Sequence, residues 1–298
     1  MRDVFHGGEK SVQEKAGVRE RAAKVGRIVG TTVDADAAWF LEQQVFVVLA
    51  SVDARGRPWA SPMTGAPGIV KVEDETTVTL RGVIGASDPL IDNLRTPAPL
   101  AVLAIDLATR SRYRVNGVGE AESRGGIRLA VRETFGNCPK YIQVRHLEAA
   151  GGHTSPAEVS DAPSLSIDQR RFVSAADTFF IATYASGGAD ASHRGGRPGF
   201  VAVEADGTLV IPDYTGNNMF QTLGNIELTP AAGLLFVDFE SGRALQLTGT
   251  AAIDWDREHA AAFRGAHRLL RVTPVRVIES RNALAVRGTL VEPSPFNP

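Results

Sequence analysis

Residues 191–200 read Ala191-Ser192-His193-Arg194-Gly195-Gly196-Arg197-Pro198-Gly199-Phe200, and residues 60–69 read Ala60-Ser61-Pro62-Met63-Thr64-Gly65-Ala66-Pro67-Gly68-Ile69. One is a diverged copy of the other. At a shift of 131 positions, ten of the 26 pairs between 60–85 and 191–216 are identical, where chance gives roughly two. After one inserted residue the match resumes at a shift of 132, with Asn93/Asn225, Leu103/Leu235, Asp106/Asp238 and Gly117/Gly249. Two similar domains therefore stand in tandem. Residues common to both copies serve the fold. His193, Arg194 and Arg197, which replace Pro62, Met63 and Ala66 and are kept in one copy only, point to an anionic ligand.

The chain outside this repeat fits two ordinary domains. Its 298 residues are 43% hydrophobic and 22% charged, the balance of a water-soluble globular protein. A net charge of −2 argues against nucleic acid or an anionic membrane as the main partner. No apolar run approaches the roughly 18 residues of a membrane helix. The first residues, Met1-Arg2-Asp3-Val4-Phe5-His6, lack a signal-peptide core, so the expected location is cytoplasmic. One cysteine excludes an internal disulfide and any multi-cysteine metal site.

Alternating charges over 9–27 predict an amphipathic helix, and Asp34 is placed to cap a second helix ending at Glu42. Strands are predicted at 45–52, 68–73, 76–81, 100–106 and 111–121, with a short helix at 88–94. The second copy repeats that order: a helix at 165–175, strands at 179–184, 199–204, 208–212, 233–239 and 243–253, and a short helix at 219–225. A longer helix is predicted over 256–270, followed by strands at 275–281 and 283–291. Many short strands joined by tight turns predict a mainly β (α+β) fold of two small antiparallel barrels with peripheral helices. Packing the barrels on each other as an intrachain pseudo-dimer would bury their remaining apolar faces. The expected divisions are an N-terminal helical extension at 1–43, a first barrel at 44–150, a Gly/Ala/Ser/Pro-rich linker at 151–163 and a second barrel at 164–298.

Three further segments carry chemistry. Residues 211–225 place Asp213, Asn217, Asn218 and Thr222 around the start of the short helix, where free N–H groups suit a phosphate. Asn217 or Asn218 could equally be a helix cap. The strand 110–117 sets Arg110, Arg112 and Arg114 on one face, where the second copy has Gly242, Ala244 and Gln246. The stretch Phe135-Gly136-Asn137-Cys138-Pro139-Lys140-Tyr141-Ile142-Gln143 shows no counterpart after the second copy. Its lone Cys138 is read as a packing residue before a nucleophile. One site shared between the copies, fed by both cationic sets, explains both differences. There is no P-loop, no dinucleotide fingerprint and no metal-ligand spacing among the six histidines.

With these motifs in place, the chain resembles the flavin-binding split-barrel proteins related to pyridoxamine 5'-phosphate oxidase, most closely those with two barrels in tandem. The resemblance rests on Phe5–Glu9, Trp59-Ala60-Ser61, Asp88-Pro89-Leu90, 112–117, 135–143, 193–200, 212–225 and 245–249. It implies FMN between two barrels. The phosphate would lie on the strand at 193–200 and the turn at 217–222, with 137–143 approaching from the other barrel. The implied cofactor-binding residues are Ser192, His193, Arg194, Arg197, Phe200, Asp213, Asn217, Asn218 and Thr222, with Asn137, Cys138, Lys140 and Arg114 from the first barrel. The oxidase's paired Arg and Lys and its C-terminal Arg-x-His ending are not matched here. The implied activity is therefore oxidation of NADH or NADPH through FMN, with a small-molecule electron acceptor such as free flavin, a quinone or oxygen, in a chain able to form homodimers. Haem breakdown, with His6, His146, His153, His259 or His267 as axial ligand, and a non-enzymatic flavin carrier or redox sensor are the alternatives.

Overall fold

The computed structural model describes residues 3–123, 125–150 and 158–298. The extension begins with α1 (Gly7–Lys15), α2 (Arg19–Val25), a 3-10 turn (Gly26–Ile28) and α3 (Ala35–Glu42). The single helix expected over 9–27 is thus two. Gly17 at φ +69 sits between them, in a left-handed conformation that stops a helix. His6 caps α1, accepting from the Gly8 amide while Glu9 accepts from the His6 amide. Asp34 caps α3 through the Ala37 amide at 2.8 Å, as expected.

The first copy contains β1 (Phe46–Val52), β2 (Pro58–Thr64), β3 (Val70–Asp74), β4 (Thr77–Leu80), α4 (Leu90–Asn93), β5 (Ala98–Asp106), β6 (Ser111–Ala121) and β7 (Ile127–Gly136). Its sheet is antiparallel, in the order β2-β1-β5-β6-β7-β4-β3. Short strands β8 (Val144–Arg145), β9 (Glu148–Ala149) and β10 (Val159–Ala162) follow. The second copy comprises α5 (Ile167–Ala175), β11 (Thr178–Ala185), β12 (Gly188–Gly195), β13 (Ala202–Val203), β14 (Leu209–Asp213), α6 (Gln221–Leu228), β15 (Ala231–Asp238), β16 (Arg243–Asp254), α7 (Arg257–Ala261) and β17 (Arg268–Ser280). Its order, β12-β11-β15-β16-β17-β14-β13, repeats the first strand for strand. Two short strands, β18 (Val286–Arg287) and β19 (Leu290–Glu292), end the chain. Both copies are curled split barrels, mainly β with few helices.

The alternation of side chains along a strand explains how the halves meet. On β1, Val47 and Leu49 enter the core of the first barrel, while Phe46, Val48 and Ala50 face the other way. On β11, Phe179 and Ile181 enter the second core, while Phe180 and Ala182 face the first barrel. The outward sets merge into a third core shared by both halves, with Leu103, Ile105, Leu235 and Phe239. Strands buried on both faces read as unbroken apolar runs, which is why 45–52 and 179–184 are legible in the sequence. The pseudo-dimer packing is therefore present within one chain.

Shared residues do repeat the same work. Asn93 donates to Ser51 Oγ at 2.9 Å, and its counterpart Asn225 donates to Thr183 Oγ1 at 3.1 Å. Gly117 and Gly249 each mark a bulge where the pairing register shifts. A Cβ at Gly117 would strike the Ala130 carbonyl, and one at Gly249 the Thr273 carbonyl. Gly249→Ala should cost about 1–3 kcal/mol, because backbone must move to admit the methyl group. Chemical denaturation of this variant checks it, and a change below a few tenths of a kcal/mol would contradict the assignment.

Several expectations need correction. The helix expected over 256–270 ends at Ala261, and the chain turns at Gly265 (φ +78) into β17. Strands β2, β7 and β12 are additions to the expected set. Part of the expected linker, 151–157, lies outside the described residues. Residues Val159–Ala162 form a strand on the edge of β17. Residues 144–149 pair with the segment that follows β17: β18 with β9 and β19 with β8.

Candidate functional site

A cleft of about 800 Å³, counting space open to solvent, lies where β6 and 137–141 of the first half meet β12, β14 and α6 of the second. Arg112 and Arg114 project from β6, Ser192, His193 and Arg194 from β12, and Asp213 from the end of β14. Asn137, Cys138, Lys140 and Tyr141 close one side. Residues 216–218 and 220–223, with the start of α6, close the other. Phe200, Tyr214 and Leu223 add apolar wall.

The electrostatics are lopsided. Arg114 is buried but paired: Nη1 donates to Asp190 Oδ1 at 2.8 Å and Nη2 to Ser192 Oγ at 2.7 Å. Asp190 also accepts from Thr222 Oγ1 at 3.2 Å, tying β6, β12 and α6 together. Arg112 is half-buried without such relief. Its Nε donates to the Cys138 carbonyl at 3.0 Å, Nη1 lies 3.3 Å from His193 Nδ1, and it pairs with no carboxylate among the described residues. Burial, with Arg114 and Arg194 beside it, pushes the Arg112 guanidinium down to about 9. Burial and the same arginines hold His193 well below the usual histidine range, so it is neutral. Because Arg112 can only donate, His193 Nδ1 accepts and Nε2 carries the proton; that Nε2 has no partner among the described residues. Asn137 is also unpartnered at both amide atoms. Cations and unpaired polar atoms gathered beside a single lining carboxylate, Asp213, can receive an anion with hydrogen-bonding groups.

Twelve of the thirteen residues expected from the sequence line this cleft or its walls; Arg197 does not. Strand β12 ends at Gly195, and Arg197 lies beyond it on an exposed turn, donating to the Pro298 carbonyl at 3.0 Å. His193 is present but uncharged, a correction to its expected place among the cations. Asn217 does cap a turn: its Oδ1 accepts from the Met219 amide at 3.0 Å. Arg112, Tyr141, Tyr214, Phe220 and Gln221 also line the cleft and stand outside the expected set of site residues. For Arg112 the signal is available, since the two-residue period sets it on the face of Arg114. The aromatic residues come together only through the turn, where the Tyr141 and Tyr214 rings sit 5.4 Å apart.

The pseudo-symmetric position is filled instead. Gln246, which replaces Arg114, donates to Asp88 Oδ2 at 2.8 Å and to the Ala60 carbonyl at 3.0 Å. Ser61 donates to Asp88 Oδ1 at 2.6 Å, and burial pushes that carboxyl up to about 6. Met63, which replaces Arg194, is buried in the first core. Neither replacement offers a cation to meet an anion.

Residues 165–289 match the family model described as pyridoxamine 5'-phosphate oxidase. That match covers 125 of the chain's 298 residues. The matched segment spans most of the second barrel, and the repeated strand order extends the same architecture to the first. Among solved structures, the chain is similar to HupZ of Group A Streptococcus at 19% identity, covering 44% of this chain and 98% of that one, with a TM-score of 0.28. It is similar to an FAD binding protein from Mycobacterium smegmatis at 15% identity, 39% and 96% coverage and a TM-score of 0.29. An FMN-binding protein from Syntrophomonas wolfei aligns at 11% identity, 38% and 84% coverage and a TM-score of 0.31. No curated protein sequence matches the chain. No helix among the described residues is long and apolar enough to cross a membrane.

Proposed function

We propose that the cleft binds FMN and that this split-barrel protein is an FMN-dependent oxidoreductase, taking electrons from NADH or NADPH and passing them to a small-molecule acceptor. The observation that carries the reading is Arg112: a half-buried guanidinium paired with no carboxylate among the described residues, lining the cleft beside Arg194. Such a charge is costly unless an anion completes it. A monoester phosphate fits, with Arg112, Arg194 and the free amides of α6 as donors. The unpartnered amide of Asn137 and the Nε2–H of His193 suit the polar edge of a flavin ring. FMN would supply hydride acceptance and onward electron transfer, chemistry that asks no general base of the protein. The side chains would bind, orient and exclude water. For haem, the described candidate histidines offer no ligand to this cleft. His6 lies against Asn225, His259 against Asp254 and His267 against Thr215.

Titrating the apo-protein with FMN should give one tight site per chain, because the second crevice is occupied by Asp88 and Gln246. Heat-released cofactor should chromatograph as FMN, and NADH or NADPH should be consumed in steady state. Recovery of FAD alone, no flavin on reconstitution, or two equal sites would overturn the reading.

A further inference from the structure

The turn that leads into α6 is strained, and the groups that hold it come from the far end of the chain. Asn218 (φ +64) and Phe220 (φ +63) are both left-handed without being glycine, and both line the cleft. Such residues persist only where surrounding contacts fix them. Met219 lies between them, fully buried in a cluster with Phe5, Ala22 and Phe135. Its carbonyl accepts from Gln13 Nε2 at 2.8 Å, and Gln13 is itself fully buried on α1. Alongside, α1 crosses α6 at Gly8 and Gly224, where a Cβ on either would strike the other helix. His6 Nε2 sits 2.9 Å from Asn225 Oδ1. Further out, Ser11 reaches Glu227 at 3.2 Å, near the distant end of α6.

We infer that the N-terminal extension is a clamp for the cofactor site, with Gln13 a positioning residue that fixes Met219 and so sets the strained turn and the first amides of α6 towards the bound phosphate. This rests on the FMN reading for the ligand, but not for the clamp itself. Extension and site are separated by some two hundred residues of sequence, yet the helix that precedes the first barrel serves the second. In the first barrel the counterpart α4 has only four residues.

The test compares Gln13→Met and Gln13→Glu with Ser11→Ala. Each apo-protein is titrated with FMN and with riboflavin, which lacks the phosphate, and amide hydrogen exchange is followed over 217–225. Gln13→Met removes the bond to Met219; Gln13→Glu removes the donor while keeping an acceptor for Arg19, which donates to Gln13 at 2.9 Å. Both should weaken FMN about tenfold, as for one lost buried hydrogen bond, with riboflavin little changed and exchange faster at 217–222. Ser11→Ala should leave all three unaltered. Unchanged FMN affinity and unchanged exchange in the Gln13 variants would overturn the clamp. Equal losses for FMN and riboflavin with a lowered melting temperature would overturn it too, showing only general loosening. If the parent protein binds no FMN, the functional reading falls, and exchange at 217–222 alone decides the clamp.

Discussion

Arg112→Ala should cost FMN affinity without costing the apo-protein stability. A charge-assisted contact to a partly buried phosphate is worth on the order of 1.5–3 kcal/mol, or about ten- to a hundredfold in affinity. Arg112 stands among Arg114, Arg194 and a neutral His193, with its charged form disfavoured by burial. Removing it relieves desolvation and like-charge repulsion, so the apo-protein's melting temperature should hold or rise. Arg194→Ala should weaken FMN similarly. Arg197→Ala, on its exposed turn, should change affinity by less than about twofold. Fluorescence titration and thermal melts of the three variants decide the matter. Parent-like binding by Arg112→Ala, or a loss in Arg197→Ala as large as in Arg194→Ala, would refute the site as drawn.

Phe46→Ala should be the most damaging single truncation between the halves. Phe46 is fully buried, with ring centroids 5.4 Å from Phe180 and 5.2 Å from Phe239 of the second barrel. Truncating such a ring costs about 3–5 kcal/mol, since the cavity is walled by two sheets and cannot collapse freely. The cleft straddles the same junction, so flavin affinity should fall as well. Urea denaturation gives the first quantity and titration the second. A cost below about 1 kcal/mol would mean that the halves are not held by this shared core.

Much of this architecture is legible because it is written twice. The repeat yields the domain count, and the double-sided apolar runs yield β1 and β11. Strands β2 and β12 escape because Pro58–Thr64 and Gly188–Gly195 are rich in small and polar residues. They are buried nonetheless, since small residues let the barrels approach: a Cβ at Gly233 would strike the Pro58 carbonyl. The helix over 256–270 is overextended because only the turn at Gly265 separates α7 from β17. Within the site, comparing copies finds Arg194, and the chemistry of a helix start finds the Asn217–Thr222 turn. The comparison does not tell that Arg197 lies past the end of β12, because spacing along a loop does not fix direction. It sets Arg112 and Arg114 side by side, and the implied site keeps only Arg114, although the structure pairs Arg114 with Asp190 and gives Arg112 no carboxylate among the described residues. Burial and partners, which no single sequence displays, decide between two arginines on one face.

The shared core between the barrels also bears on how the cleft responds to dilution. Where two separate chains build a pocket between them, its occupancy depends on protein concentration, because the pocket vanishes when the chains part. Here both walls belong to one polypeptide, and the partner wall is always present at a high effective concentration. Affinity at the cleft should therefore read the same at nanomolar as at micromolar protein. Freed from the identity that a two-fold axis imposes on a homodimer, each half can also change alone: a substitution at Met63 alters packing, while the matching one at Arg194 alters the cleft.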